Sequence, residues 1–176
     1  VPRPFTDYAH YVRSVDLLIE TEAIQDRSYL WWDVRPHPGI GTIEIRVMDA
    51  QTRTEDTAAL VALTRSLVKL EAEEGLASEA SVEAQEAITE NRFLAARDGV
   101  GADLIDVDLA SRRPVSELLE TVLDRARPHA QELGCLDELE TSADLLDSPP
   151  AGRQRQIAAD VSSLAQLVRW LADEFA

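Results

Sequence analysis

The chain has 176 residues, enough for one ordinary domain, and its 45% hydrophobic content argues against a disordered polypeptide. Seventeen basic residues stand against 33 acidic ones, and the formal net charge of -16 excludes nucleic acid and anionic membrane surfaces as natural partners. The single cysteine, Cys135, cannot form an internal disulfide, no Cys/His group has zinc spacing and no apolar run could cross a bilayer, which together predict a cytoplasmic protein.

The first predicted element is a helix over residues 7–24, capped by Thr6, with apolar side chains recurring at helical spacing. The period then changes to two. The stretches "SYLWWDV" and "GTIEIRVMD" alternate, are rich in β-branched and aromatic residues, and flank the Pro/Gly segment "RPHPGIG". They predict a β-hairpin.

The rest of the chain is predicted to be helical. One helix spans residues 55–74 and ends at Gly75, and a second spans about 82–98, ends at Gly99 and carries "ENRFLAARDG". A third helix begins at Pro114 and should end or kink at Pro128, and a short one is expected around residues 135–146. A final helix follows "SPPAG", whereas "ADLIDVD" is too short to assign. The predicted fold class is α+β, mostly helical, with one hairpin.

The predicted hairpin has one charged face. Alternate side chains of a strand share a face, so if the apolar faces of the two strands coincide, the opposite face collects Asp33, Arg35, Glu44 and Arg46. The face is either a solvated surface with cross-strand ion pairs or a partly desolvated pocket, which the nearby tryptophans Trp31 and Trp32 favour. A carboxylate that can hold a divalent cation, beside guanidiniums that can hold phosphate, suits nucleotide-dependent phosphoryl transfer.

A two-stranded hairpin is marginal alone, and its edges invite pairing. Because no other convincing long strand is present, either helices cover the hairpin or further strands come from another polypeptide or from a portion of this one that lies outside the sequence. The start at "VPRPF", without a methionine, favours the last of these.

The segment "WWDVRPHPGIGTIEIRVMDAQ", followed by "ENRFLAARDG" and "LID", resembles the C-terminal half of type-2 glutamate–cysteine ligases, the carboxylate–amine ligases related to glutamine synthetase. Weaker matches at "PRPFTDYAHYV" and "GRQRQ" extend the resemblance over nearly the whole chain. It implies that residues 1–176 are the C-terminal portion of such a catalytic domain, that the hairpin belongs to a glutamine synthetase-like active-site sheet, and that the N-terminal half is absent.

The resemblance also implies a reaction and a set of site residues. ATP would phosphorylate the side-chain carboxylate of glutamate, and an amine such as that of cysteine would capture the acyl phosphate to give a γ-glutamyl amide. Carried across residue by residue, Glu44 would bind Mg²⁺ or Mn²⁺, Arg46 would hold glutamate or the phosphoryl group, and Arg35 would face the ATP phosphates. Asn91 and Arg92 would support ligands or the sheet, and Asp33 would orient an arginine.

The chain departs from the family pattern in one respect. The family places a carboxylate-rich metal strand in its N-terminal half, and this sequence has no such strand, which implies that the chain alone is inactive. The expected partners are therefore the missing half of the enzyme and, because sheet edges favour self-association, a second copy of the chain. The alternative is a non-catalytic helical interaction module that retains the motif for structural reasons.

Overall fold

The fold is described by a computed structural model, which defines residues 3–175. Its helices are α1 (Tyr8–Glu20), α2 (Thr54–Glu73), α3 (Glu79–Glu83), α4 (Gln85–Asp98), α5 (Val115–Glu132), α6 (Leu136–Thr141), α7 (Asp144–Asp147), α8 (Pro150–Asp160) and α9 (Leu164–Phe175). Its strands are β1 (Val34–His37), β2 (Thr42–Ile45), β3 (Asp103–Asp106) and β4 (Ser111–Pro114). The strands form two separate antiparallel hairpins, β1–β2 and β3–β4, so the predicted α+β class is confirmed.

The main core lies where α2 packs against α5 and α6. Its buried members are Ala62, Leu123, Ala126, Ala130, Cys135 and Leu139. Half of them are alanines, whose small side chains let the helix backbones approach closely. Two leucines on the inner side of α2 are covered here: Leu63 packs on this cluster, and Leu70 is fully buried. Cys135 is thus a core residue.

A second core joins α1 to the segment before β1. Tyr11, Val15 and Leu30 are buried there, and Phe5 and Trp32 pack against them. The predicted helix is present but shorter, and its cap was wrongly assigned to Thr6: the side chain of Asp7 accepts a hydrogen bond from the His10 amide at 2.6 Å. This core holds the first hairpin against α1.

The first hairpin is confirmed, but its first strand lies further along the chain than predicted. Most of "SYLWWDV" is not strand, since residues 27–29 form a 3₁₀ turn and β1 begins at Val34. The strand continues through Pro36 to His37, where the prediction placed the loop. Proline is acceptable in a strand at a sheet edge, and a residue that precedes proline, as His37 does, favours an extended backbone.

The apolar face of this hairpin is exposed. Val34 pairs with Ile45 and Pro36 with Ile43, so the apolar faces of the strands coincide as predicted. Yet Ile43 is 58% and Val47 56% exposed, whereas Arg35 on the charged face is 5% exposed. Within residues 3–175, the part of this face at Ile43 and Val47 is therefore left exposed.

The second hairpin was not predicted. Its strands are four residues each and contain "DLID" and "SRRP", too short and too charged to give an alternating pattern. The helix after it runs through Pro128 without ending there, and the predicted last helix is divided into α8 and α9. No helix in residues 3–175 combines the length and the hydropathy required to span a membrane.

Candidate active site

The pairing of β1 with β2 places Arg35 directly opposite Glu44, on the shared face that the alternation predicted. Arg35 Nε donates to Glu44 Oε2 at 2.6 Å, and Arg46 Nη2 lies 2.5 Å from Glu44 Oε1. A single carboxylate therefore bridges two guanidinium groups on one face of the hairpin. The hydrogen bond from Arg35, reinforced by the one from Arg46, lowers the pKa of Glu44, so this carboxylate is ionised at neutral pH.

Arg35 is buried, and three hydrogen bonds compensate the burial of its charge. Besides the bond to Glu44, its Nη1 donates to the carbonyl of Leu30 at 2.9 Å and to the carbonyl of Ser28. A buried charge is tolerated when it is paired and hydrogen-bonded in this way. Arg35 thus fastens the turn at residues 27–29 to the strand, a role that sequence reasoning missed because backbone carbonyls leave no trace in a residue pattern.

Arg46 is the more accessible guanidinium, with its side chain 41% exposed. Its backbone N–H donates to the Asp33 carbonyl at 2.6 Å, which extends the hairpin pairing one step beyond the strands. Its Cζ lies 5.5 Å from the centroid of the Trp31 ring, a cation–π contact. The guanidinium is held between a carboxylate and an aromatic ring, with part of its surface open to solvent.

The helix α4 adds two neighbouring residues, which reach different sheets. Arg92 Nη2 lies 3.0 Å from Asp33 Oδ1, so Arg92 joins the charged face of the first hairpin, and Asp33 contacts an arginine. Asn91 turns to the second hairpin instead: its amide donates to the Ile105 carbonyl at 2.9 Å and accepts from the Ile105 N–H at 2.7 Å. Arg35, Glu44, Arg46 and Arg92 therefore lie at the first hairpin, and Asn91 is bound to β3.

Asn91→Ala is expected to lower the free energy of unfolding by roughly 1–3 kcal/mol, because both backbone groups of Ile105 lose their partner in a half-buried position. Urea denaturation measures the change. Asn91→Asp keeps an oxygen acceptor but no amide donor, so its free energy of unfolding should lie between those of the wild type and Asn91→Ala. Equal stability of Asn91→Ala and the wild type would show that this pairing contributes nothing.

The loop end of the charged face borders a small cavity of about 250 Å³ beside Arg27, Arg35, Pro36 and His37. His37 Nδ1 is buried there and has no hydrogen-bond partner among the described residues. Arg27 is already paired with Asp16 at 2.5 Å. The cavity adjoins the site but supplies no additional carboxylate cluster.

The described residues do not by themselves fit a Mg²⁺ or Mn²⁺ ion. Among residues 3–175, no group of three or more His, Cys, Asp or Glu side chains could hold a metal. Both oxygens of Glu44 already contact guanidinium groups, and a hard divalent cation needs several oxygen ligands. A metal at Glu44 would require further ligands from outside this part of the chain.

The model of glutamate–cysteine ligase family 2 matches residues 1–162. The chain belongs to this family. It is 37% identical to "Putative glutamate--cysteine ligase 2-1" of Rubrobacter xylanophilus over 98% of the chain and 46% of that protein. It is 36% identical to "Putative glutamate--cysteine ligase 2" of Jannaschia sp. over 89% of the chain and 42% of that protein. The glutamate–cysteine ligase family 2 resemblance seen in the hairpin motif is therefore confirmed, and the chain spans less than half the length of these relatives.

Proposed function

We propose that the chain is the C-terminal part of an ATP-dependent carboxylate–amine ligase that forms a γ-glutamyl amide through an acyl phosphate. The observation that carries the proposal is the carboxylate of Glu44 held between Arg35 and Arg46 on the hairpin that bears the family motif. Membership of glutamate–cysteine ligase family 2 supports ligase chemistry.

The two guanidiniums would divide the work. Acyl-phosphate formation concentrates negative charge on the transferred phosphoryl oxygens, and a fixed cation lowers that barrier without moving a proton. Arg46 is exposed enough to meet those oxygens or the glutamate carboxylate. Arg35 is buried and donates a hydrogen bond to Glu44. Its remaining N–H donors would face the ATP phosphates. Arg92 would add a third guanidinium beside Arg35 and Arg46. Asn91 would support the position of Arg92 by bonding α4 to β3.

Glu44 would supply one oxygen ligand to Mg²⁺ or Mn²⁺, with the other ligands coming from outside residues 3–175. When bound, the metal would neutralise the phosphate charge. The described residues alone do not complete the coordination of the metal.

The exposed apolar face of the first hairpin supports a second part of the proposal. Ile43 and Val47 are exposed, although a sheet normally buries its apolar side. The N-terminal half of the enzyme would extend β1–β2 at its edges into a glutamine synthetase-like sheet and would also supply the elements that cover this face. A second copy of the chain is a further proposed partner.

The test is turnover by the full-length polypeptide that contains this sequence. With ATP, Mg²⁺ and glutamate, addition of cysteine or another primary amine should release ADP and phosphate and form the γ-glutamyl amide, measured by coupled assay and mass spectrometry. Omission of glutamate or of the amine should abolish the amide. Absence of ADP release with every amine, from a folded protein that carries a complete metal strand, would reject the proposal.

The alternative is a non-catalytic interaction module. One observation favours it: α9 is amphipathic and carries no buried residue, and Leu164, Val168 and Phe175 are exposed along it. A module of this kind would bind its partner through α9 with no need of Arg46. Turnover that depends on Arg46 would decide for the ligase.

A further inference from the structure

Trp31 is 80% exposed, although both of its neighbours are fixed. The Leu30 side chain is buried and its carbonyl accepts a hydrogen bond from Arg35 Nη1. Trp32 stacks on Phe5 with ring centroids 5.9 Å apart and meets the ring of Tyr11 edge-on. The backbone at Trp31 is therefore held on either side, which fixes the position from which its exposed ring extends.

That position is beside the guanidinium of Arg46. The 5.5 Å separation of Arg46 Cζ from the ring centroid and the 2.5 Å contact of Arg46 Nη2 with Glu44 Oε1 hold the side chain from two directions. The Arg46 backbone is fixed as well, through its N–H bond to the Asp33 carbonyl. A long side chain such as arginine otherwise samples many rotamers. Contacts that exclude some of these rotamers increase the population of the geometry seen here.

We propose that Trp31 is a positioning residue for Arg46. Its ring covers the guanidinium and sets the plane in which the remaining N–H donors meet an oxyanion, either a carboxylate or a phosphoryl group. The inference rests on the proposed ligase function for its kinetic consequence, but the contact itself is independent of any activity. A tryptophan this exposed contributes little through burial of its ring. Its contribution at the charged face is therefore the cation–π contact with Arg46.

The contact is tested by NMR of the Arg46 side chain in the protein labelled with ¹⁵N-arginine. The ring current of Trp31 should displace the Arg46 Hε resonance, which is assigned from its loss in Arg46→Lys. Trp31→Leu should return the resonance to the position of an ordinary arginine, and Trp31→Phe should keep much of the displacement. Trp170→Phe, which removes a tryptophan from α9, is the matched control and should leave it unchanged. An identical Arg46 shift in Trp31→Leu would overturn the inference.

The consequence for the reaction is tested in the full-length polypeptide. Trp31→Leu should lower kcat about fivefold, the scale of one exposed cation–π contact, with only a small decrease in the denaturation midpoint. Trp31→Phe should recover most of the rate. A Trp31→Leu enzyme with wild-type kcat and KM would overturn the positioning role. If the wild type shows no ligase activity, the proposed function fails, and the Arg46 resonance still decides whether Trp31 positions the guanidinium.

Discussion

Arg46→Ala is expected to reduce the kcat of the full-length enzyme by about 100-fold or more, because removal of one preorganised donor from a developing charge costs roughly two to three orders of magnitude in rate. The free energy of unfolding should change little, since the side chain is partly exposed and its partner Glu44 keeps the bond from Arg35. Steady-state assays of ADP release, together with urea denaturation, measure both quantities.

Two controls sharpen this experiment. Arg97→Ala, on α4, removes an exposed arginine paired with its neighbour Asp98 and should leave kcat unchanged. Arg46→Lys keeps the charge but loses the planar guanidinium, and should recover only part of the rate. The assignment of Arg46 to the reaction is wrong if Arg46→Ala retains wild-type kcat.

Arg35→Ala is expected to act mainly on folding and to lower the free energy of unfolding by about 3 kcal/mol, in the range measured when one partner of a buried ion pair is removed. Three acceptors lose their donor together: the Glu44 carboxylate and the carbonyls of Ser28 and Leu30. Arg35→Lys should recover little, because one ammonium group cannot reproduce the fork that meets these acceptors.

The apolar replacement of both partners distinguishes pairing from burial. Arg35→Met with Glu44→Leu should be more stable than Arg35→Met alone, because the Glu44 oxygen that faced Arg35 is then removed and not left unpaired, while Arg46 is exposed enough to be solvated without Glu44. Thermal and urea denaturation of these variants give the comparison. If Arg35→Ala unfolds at the same urea concentration as the wild type, the bonds to Ser28 and Leu30 do not stabilise the hairpin.

Side-chain alternation predicted the charged face correctly, since period-two placement of Arg35, Glu44 and Arg46 needs only an extended backbone. It misplaced the strand itself, because prolines in "RPHPGIG" suggested a loop where Pro36 is tolerated at a sheet edge. The β3–β4 hairpin shows no alternating pattern of apolar residues. Its contact with α4 joins the Asn91 side chain to backbone atoms of Ile105, 14 positions later in the chain. Such contacts depend on where α4 packs, which no local sequence pattern specifies.

The same reasoning applies to the ends of the helices. Thr6 and Asp7 are both suitable caps, and only the backbone geometry selects Asp7. Pro128 lies late in α5, where packing of Ala126 and Ala130 against α2 and α6 outweighs the lost hydrogen bond. Tertiary packing decides such cases.

The pairing of Arg35 with Glu44 also governs which alignment the hairpin adopts as it folds. A slip of one residue would set the Arg35 guanidinium across from Ile43 or Ile45 and turn one strand over. In that competing arrangement the Glu44 carboxylate and the Arg35 guanidinium would lie on opposite faces without each other as partners. The native alignment avoids the free-energy cost of leaving these charges unpaired. The bond that assembles the charged face thereby discriminates against misaligned hairpins, so a chain that folds wrongly at this point loses the site altogether and does not retain a distorted one.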